Sequence, residues 1–169
     1  MGNGRVKKPT ARVKAAKPVA GLPITRVPRL AGLASNLRIR LTEITRTRIV
    51  GEMRIAPRHM NGVGRVHGGA IMAFGDAVGA SGAVVNLADG AQTATIESKT
   101  NFFAAGLGPV LVGEAVPLHI GRTTMVWQTT VRNADGRMVA MVTQTQIVIP
   151  PPVTDVYRPA PRRRPTARR

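Results

Sequence analysis

From Leu37 to Ile44 the chain reads Leu-Arg-Ile-Arg-Leu-Thr-Glu-Ile, the period-two pattern of a strand with one wet face. A second arm over about Arg46 to Ile55 comes after a bend. Pro57 to Arg65 reads as loop, with Asn61-Gly62 as its turn signal. From Gly68 to about Leu87 no alternation is present, and the Ala, Met, Leu and Val content predicts one helix of roughly 20 residues ending near Asp89-Gly90. Four β-like stretches come next: Ala91–Phe103, Val110–Ile120, Thr123–Asn133 and Arg137–Ile149. Asn133-Ala134-Asp135-Gly136 joins the last two as a hairpin, and Asp-Gly supplies the positive φ angles of a tight turn. Gly106–Pro109 and Gly121-Arg122 mark the other junctions, and Pro150-Pro151-Pro152 stops the final strand because proline donates nothing to a ladder.

The predicted helix is apolar almost all round, so it must be covered on most sides. A single antiparallel sheet of about five to six strands, curled around one long central helix, satisfies that need. The fold class is therefore α+β. Length alone agrees, since 169 residues make about one domain with room for a core. A membrane span is the competing reading of residues 68–88. Five glycines, Ser81, Asn86 and Asp76 stand against it, an aspartate in mid-helix being penalised by roughly 2.5–3.5 kcal/mol in a bilayer.

Charge changes the picture at the ends. The net charge is +17, but residues 1–32 hold eight Lys/Arg and no acid, and residues 151–169 hold six against Asp155. The interval 33–150 is left with only +4. The chain thus divides into a basic tail over 1–32, one domain over 33–150 and a Pro/Arg-rich tail over 151–169. Both tails carry little that could pack and are expected to be disordered. Phosphate contacts with nucleic acid or an anionic membrane are open to them, but solvated tails with no specific partner are expected. Residues 1–32 lack the continuous apolar stretch of a secretory signal, and a cytoplasmic location is expected. With no cysteine, thiolate metal sites, disulfides and a Cys nucleophile are excluded. Three histidines without HExxH spacing predict no metal, and 3% aromatics offer few platforms for stacking bases.

Asp76 is the only charged residue between Arg65 and Asp89. An ionised carboxylate in such an apolar run costs several kcal/mol unless it is compensated, so this is where chemistry is expected. Nine residues earlier stands His67-Gly68-Gly69. The first turn of a helix has free N–H groups and the positive end of the dipole, and two glycines let a ligand oxygen approach them. That makes an oxyanion hole, with His67 holding the loop or adding a donor; the alternative is a Gly-Gly chosen for tight helix–sheet packing. From His67 to Asp76 a helix turns ~900° and rises ~13.5 Å, so one helix cannot aim both features at one carbonyl. Either Asp76 is a buried acid bonded to a hydroxyl such as Ser81 or Thr95, or one chain's helix start pairs with another chain's Asp76 in a two-fold dimer with two composite sites.

The stretch Asn61-Gly62-Val63-Gly64-Arg65-Val66-His67-Gly68-Gly69, then Asp76, resembles the hotdog-fold acyl-CoA thioesterases of the phenylacetate-degradation type. Thr95 to Phe102 is similar to that family's second strand, Gly121 to Thr124 and Asp135 to Ala140 to its later turns, and the likeness runs from Leu33 to Ile149. The resemblance implies a hotdog fold and hydrolysis of acyl-CoA thioesters to free acid and coenzyme A. It implies that Asp76 acts as general base on water or as nucleophile, and that amides at His67, Gly68 and Gly69 bind the carbonyl oxygen. Asn61 would help place the reacting groups, and Thr95, where family members often carry Ser, would orient the water. It further implies homodimers with shared sites, doubled into tetramers. Coenzyme A is part of the substrate, so no separate cofactor is expected.

The chemistry is coherent, since a thioester is already activated and a carboxylate base with an oxyanion hole can suffice. Partial burial should raise the Asp76 pKa towards a useful base strength. Arg122, in its glycine turn, then Arg65 and Lys99 are the candidates for the coenzyme A phosphates. Met72, Phe74, Phe102 and Phe103 either shape the acyl pocket or pack the core. A different class of function is a noncatalytic acyl-CoA-binding or regulatory module whose tails dock on nucleic acid or membrane. A hydratase would pair Asp with His in a motif this chain lacks.

Overall fold

The computed structural model describes residues 24–151. A short helix α1 (Leu33–Asn36) precedes strands β1 (Ile39–Ile44) and β2 (Ile49–Arg54) and a 3-10 turn over Pro57–His59. The long helix α2 (Gly68–Val84) comes next, then β3 (Gln92–Phe102), β4 (Val110–Ile120), β5 (Thr124–Asn133) and β6 (Met138–Ile149). The six strands form one antiparallel sheet in the order β1-β2-β4-β5-β6-β3, and α2 packs against it in the manner expected of a hotdog. β1 and β3 are the edges.

Small residues bring the helix close to the sheet. A Cβ at Gly75 would lie 2.5 Å from Val142, one at Gly79 2.7 Å from Gln144, and one at Gly82 2.5 Å from the Trp127 ring. These glycines recur at i, i+4 and i+7, one face of a helix, and that face rests on β5 and β6. Around it lie Phe74, Val78, Ile49, Met53, Leu111 and Trp127, all without measurable exposure. Phe74 is thus core, and it does not line a pocket.

The helix is shorter than the apolar run suggested, ending at Val84 where Leu87 was expected. Asn86 marks the stop: its Nδ2 donates to Gly82 O at 2.8 Å, a carbonyl that a further turn would have used, and to Arg46 O of the β1–β2 turn at 2.9 Å. Ahead of α1, Ile24 and Leu30 are half-buried against the core, and Arg26 donates to Ala91 O at 2.6 Å. The expectations for residues 1–23 and 152–169 lie outside the described residues. Among the described residues no helix is long and apolar enough to cross a membrane.

One irregularity re-aims the side chains of an edge strand. The register of β3 on β6 slips between Thr95 and Glu97, leaving Ile96 as a bulge. Thr95 faces Gln146 and, past the bulge, Ser98 faces Gln144 and Thr100 faces Val142. Bulges redirect side chains in this way. Thr93 and Thr95 face the inner side before the bulge; past it Ser98 and Thr100 take that side, and Glu97 and Lys99 go to the outer one.

Candidate active site

Asp76 sits in the middle of α2, half-buried, with its side chain towards β3. Thr95 Oγ1 donates to its Oδ1 at 3.1 Å. Thr95 in turn accepts a 2.6 Å bond from Gln146 Nε2, and the Gln146 Oε1 accepts from Thr93 Oγ1 at 3.1 Å. Gln144 Nε2 reaches the main-chain oxygen of Asp76 at 3.2 Å. Burial pushes the Asp76 carboxyl above the usual carboxylate range, and the Thr95 bond opposes that rise without cancelling it. Ser81, the other hydroxyl considered, bonds its own helix at Ala77 O, 2.7 Å away.

The start of α2 is built by the loop before it. Asn61 Oδ1 accepts from the Val63 and Arg65 amides at 3.1 and 3.0 Å, so in one chain this side chain ties its own turn. His67 N donates to His59 O at 2.7 Å, and His67 is the N-cap, its Nδ1 accepting from Gly69 N at 2.9 Å. Of the three expected oxyanion amides, that of His67 is therefore occupied by His59 O and that of Gly69 by the histidine side chain. Ala70 N and Ile71 N both turn to His67 O. The Gly68 amide has no acceptor among the described residues. Gly68 lies close to β3, where an added Cβ would stand 3.3 Å from the Phe102 ring.

Gly68 against Phe102 and Asp76 against Thr95 both lie along β3, which corrects the expectation of opposite helix faces. Counted from His67 the phase is half a turn, but counted from Gly68 it is about 80°. What separates the amide from the carboxylate is the axial rise of eight residues, about 12 Å, too far for one carbonyl to touch both.

Sequence reasoning missed Thr93, Gln144 and Gln146, and it missed His59. His59 is 1% exposed, its Nδ1 accepts from Ala56 N at 3.2 Å, and burial, with Arg58 and Arg38 nearby, pushes its pKa down. It braces the turn on which His67 hangs. Beside it a cleft of about 360 Å³ opens at the start of α2, lined by Leu33, Leu37, Met60, His67, Gly69 and Ala73 among others. The three cations are all exposed and are not gathered by one chain. Arg65 precedes the start of α2, Arg122 lies in the β4–β5 turn, across β6 from the first residues of β3, and Lys99 lies on the outer side of β3. Met72, Phe102 and Phe103 are 40%, 50% and 56% exposed, available to line a pocket as Phe74 is not. Among the described residues no group of three or more His, Asp or Glu could hold a metal.

Comparison with known proteins agrees with this architecture. Residues 63–140 match the family model described as the thioesterase superfamily, a span that includes the α2 start, Asp76 and Thr95. A candidate esterase of Vibrio cholerae is 30% identical over 109 residues, 64% of this chain and 73% of that protein. The candidate esterase ComA2 of Bacillus subtilis is 30% identical over 119 residues, 69% of this chain and 94% of its own length. The solved structure of the Escherichia coli PaaI protein, from the phenylacetic acid degradation operon, superposes with a TM-score of 0.63 at 21% identity, covering 69% of this chain and 83% of that one. The last likeness shows the shared hotdog fold. With two relatives at 30% identity and the family model spanning the helix and its carboxylate, the chain belongs to the thioesterase superfamily.

Proposed function

We propose that the protein hydrolyses acyl-CoA thioesters, working as a two-fold dimer in which the Gly68 amide of one protomer and Asp76 of the other share a site. The observation that carries this reading is a half-buried carboxylate of raised pKa, held by Thr95, on the same helix whose free first amide lies about 12 Å away along the axis. Two antiparallel copies would bring each carboxylate to the other's amide, which one chain alone does not.

In the hydrolysis, Asp76 takes a proton from water as the water oxygen bonds to the acyl carbon. The carbonyl oxygen becomes an oxyanion and is met by the Gly68 N–H at the positive end of α2. Collapse breaks the carbon–sulfur bond, and the leaving thiolate takes the proton back from Asp76. The alternative, direct attack by Asp76 on the acyl carbon, gives an anhydride that water then opens, and the same groups serve it. His67 holds the amide loop in place. Asn61 orders the turn before it, and across the dimer it would help place the reacting groups. Arg122, Arg65 and Lys99 would meet the phosphates of coenzyme A only where two copies bring the ends of α2 together. The motif around His67 and the fold shared with the phenylacetate protein support aryl or short acyl groups as the first substrates to try.

The test is a panel of aryl, short-chain and long-chain acyl-CoA esters against the wild type and Asp76→Asn. The wild type should turn over at least one class, and the variant should lose kcat by about 100-fold or more while keeping its fold. Equal rates for the two proteins would sink the assignment.

A further inference from the structure

We infer that Gln146 is a positioning residue for this site: it sets the direction of the Thr95–Asp76 hydrogen bond so that the hydroxyl always donates to the carboxylate. The inference rests on the thioesterase reading for what Asp76 does, and on the geometry alone for what Gln146 does.

Gln146 lies on β6 directly opposite Thr95 and is 1% exposed. Its neighbours in the same inward row are Gln144, Val142 and Val148, so an apolar side chain would fill the place at less cost than a carboxamide. Burying the amide is tolerable only if both its ends are used, and both are. Nε2 has protons to give and no lone pair to offer. Bonded to it at 2.6 Å, Thr95 Oγ1 must be the acceptor, and its single proton is left for Asp76 Oδ1. Thr93 closes the other end by donating to Oε1, a bond it shares with Ile147 O at 2.9 Å. Every link then points the same way, Thr93 to Gln146 to Thr95 to Asp76. With the carboxamide turned over, its oxygen would claim the Thr95 proton and the ionised carboxylate would lose its donor.

The consequence for chemistry is a carboxylate with one oxygen tied and the other free. Oδ1 is engaged from β3, and the main-chain oxygen of the same residue is pinned by Gln144 from β6. Oδ2 is then the atom left to face water. No other charged side chain occurs on α2 or β6, and Glu97 and Lys99 of β3 lie on the outer face past the bulge. Arg132 of β5 is paired near the opposite end of β6, at Met138. The local proton therefore answers to this chain of bonds and to burial.

The test uses Gln146→Leu and, should that variant melt early, Gln146→Met. Removing the donor frees Thr95 to point elsewhere, so the carboxylate is less stabilised and Asp76 titrates at higher pH. Carbon-13 NMR titration of the Asp76 carboxyl should show that upward move in either variant. Hydrolysis should lose about tenfold in kcat, with KM within about twofold and the acid limb of the pH profile displaced upward. In a Thr95→Val background, Gln146→Leu should add almost nothing, because it acts through the hydroxyl already removed. An unchanged Asp76 titration, full additivity of the two substitutions, or an effect confined to KM would overturn the role. A wild type inactive on every thioester would end the proposed function, while the titration would still decide Gln146.

Discussion

At the scale of single residues, Asp76 should pull stability and the proposed activity apart. Its folded-state pKa is raised by burial, so the folded protein holds the carboxyl proton more tightly than the unfolded chain does. The folded state is therefore penalised once pH rises above the ordinary value of 3.8, and the penalty is complete above the folded pKa. Asp76→Asn keeps an oxygen for Thr95 and removes that penalty. Thermal melts should place the variant above the wild type at neutral pH, with the gap closing as pH falls towards 3.8. A variant that melts lower at neutral pH would mean that the ionised group stabilises the fold. Asp76 was legible in the sequence because one charge in a Gly/Ala run is conspicuous. Gln144 and Gln146 were not, since Thr143-Gln144-Thr145-Gln146 is polar in both phases and alternation cannot tell the inner row from the outer. Only Val142 and Val148, in step with the two glutamines, carried the clue.

Among the elements, α2 depends on closeness more than on propensity. Alanine normally improves a helix over glycine by about 1 kcal/mol. At Gly82 the sign should reverse, because the added Cβ would meet the fully buried Trp127 ring at 2.5 Å. Gly82→Ala is expected to cost about 1–3 kcal/mol, measured by denaturant unfolding, whereas Ala at Gly62, with nothing within 4 Å, should not show that loss. The order of helix and strands was legible because period two and the absence of period two separate cleanly along this chain. The end of α2 was not, as Val85 and Leu87 are buried after the helix has stopped and so continue its apolar pattern. Short packed pieces hid as well. Ile24, Leu30 and α1 are a few apolar residues among prolines and cations, and average composition conceals them.

For the whole molecule, the proposed shared site has a direct test by mixing. Asp76→Asn and Gly68→Val should each be inactive alone. Co-refolded in equal amounts, they should recover about a quarter of the wild-type rate, because half the dimers are mixed and each mixed dimer has one intact site. Sites contained within single chains would recover nothing. The whole-molecule level was the least legible, because spacing along one chain does not say which ends of α2 meet.

The bulged strand β3 ties these scales together. It is an edge of the sheet, and along it lie Thr95, which holds the carboxylate, and Phe102, which lies against Gly68. In the proposed dimer, a mate docked along this rim would touch both halves of the composite site at once. Substitutions that widen the pocket for a bulkier ester would then also loosen the grip between the two halves, so substrate range and partnership would drift together over evolutionary time.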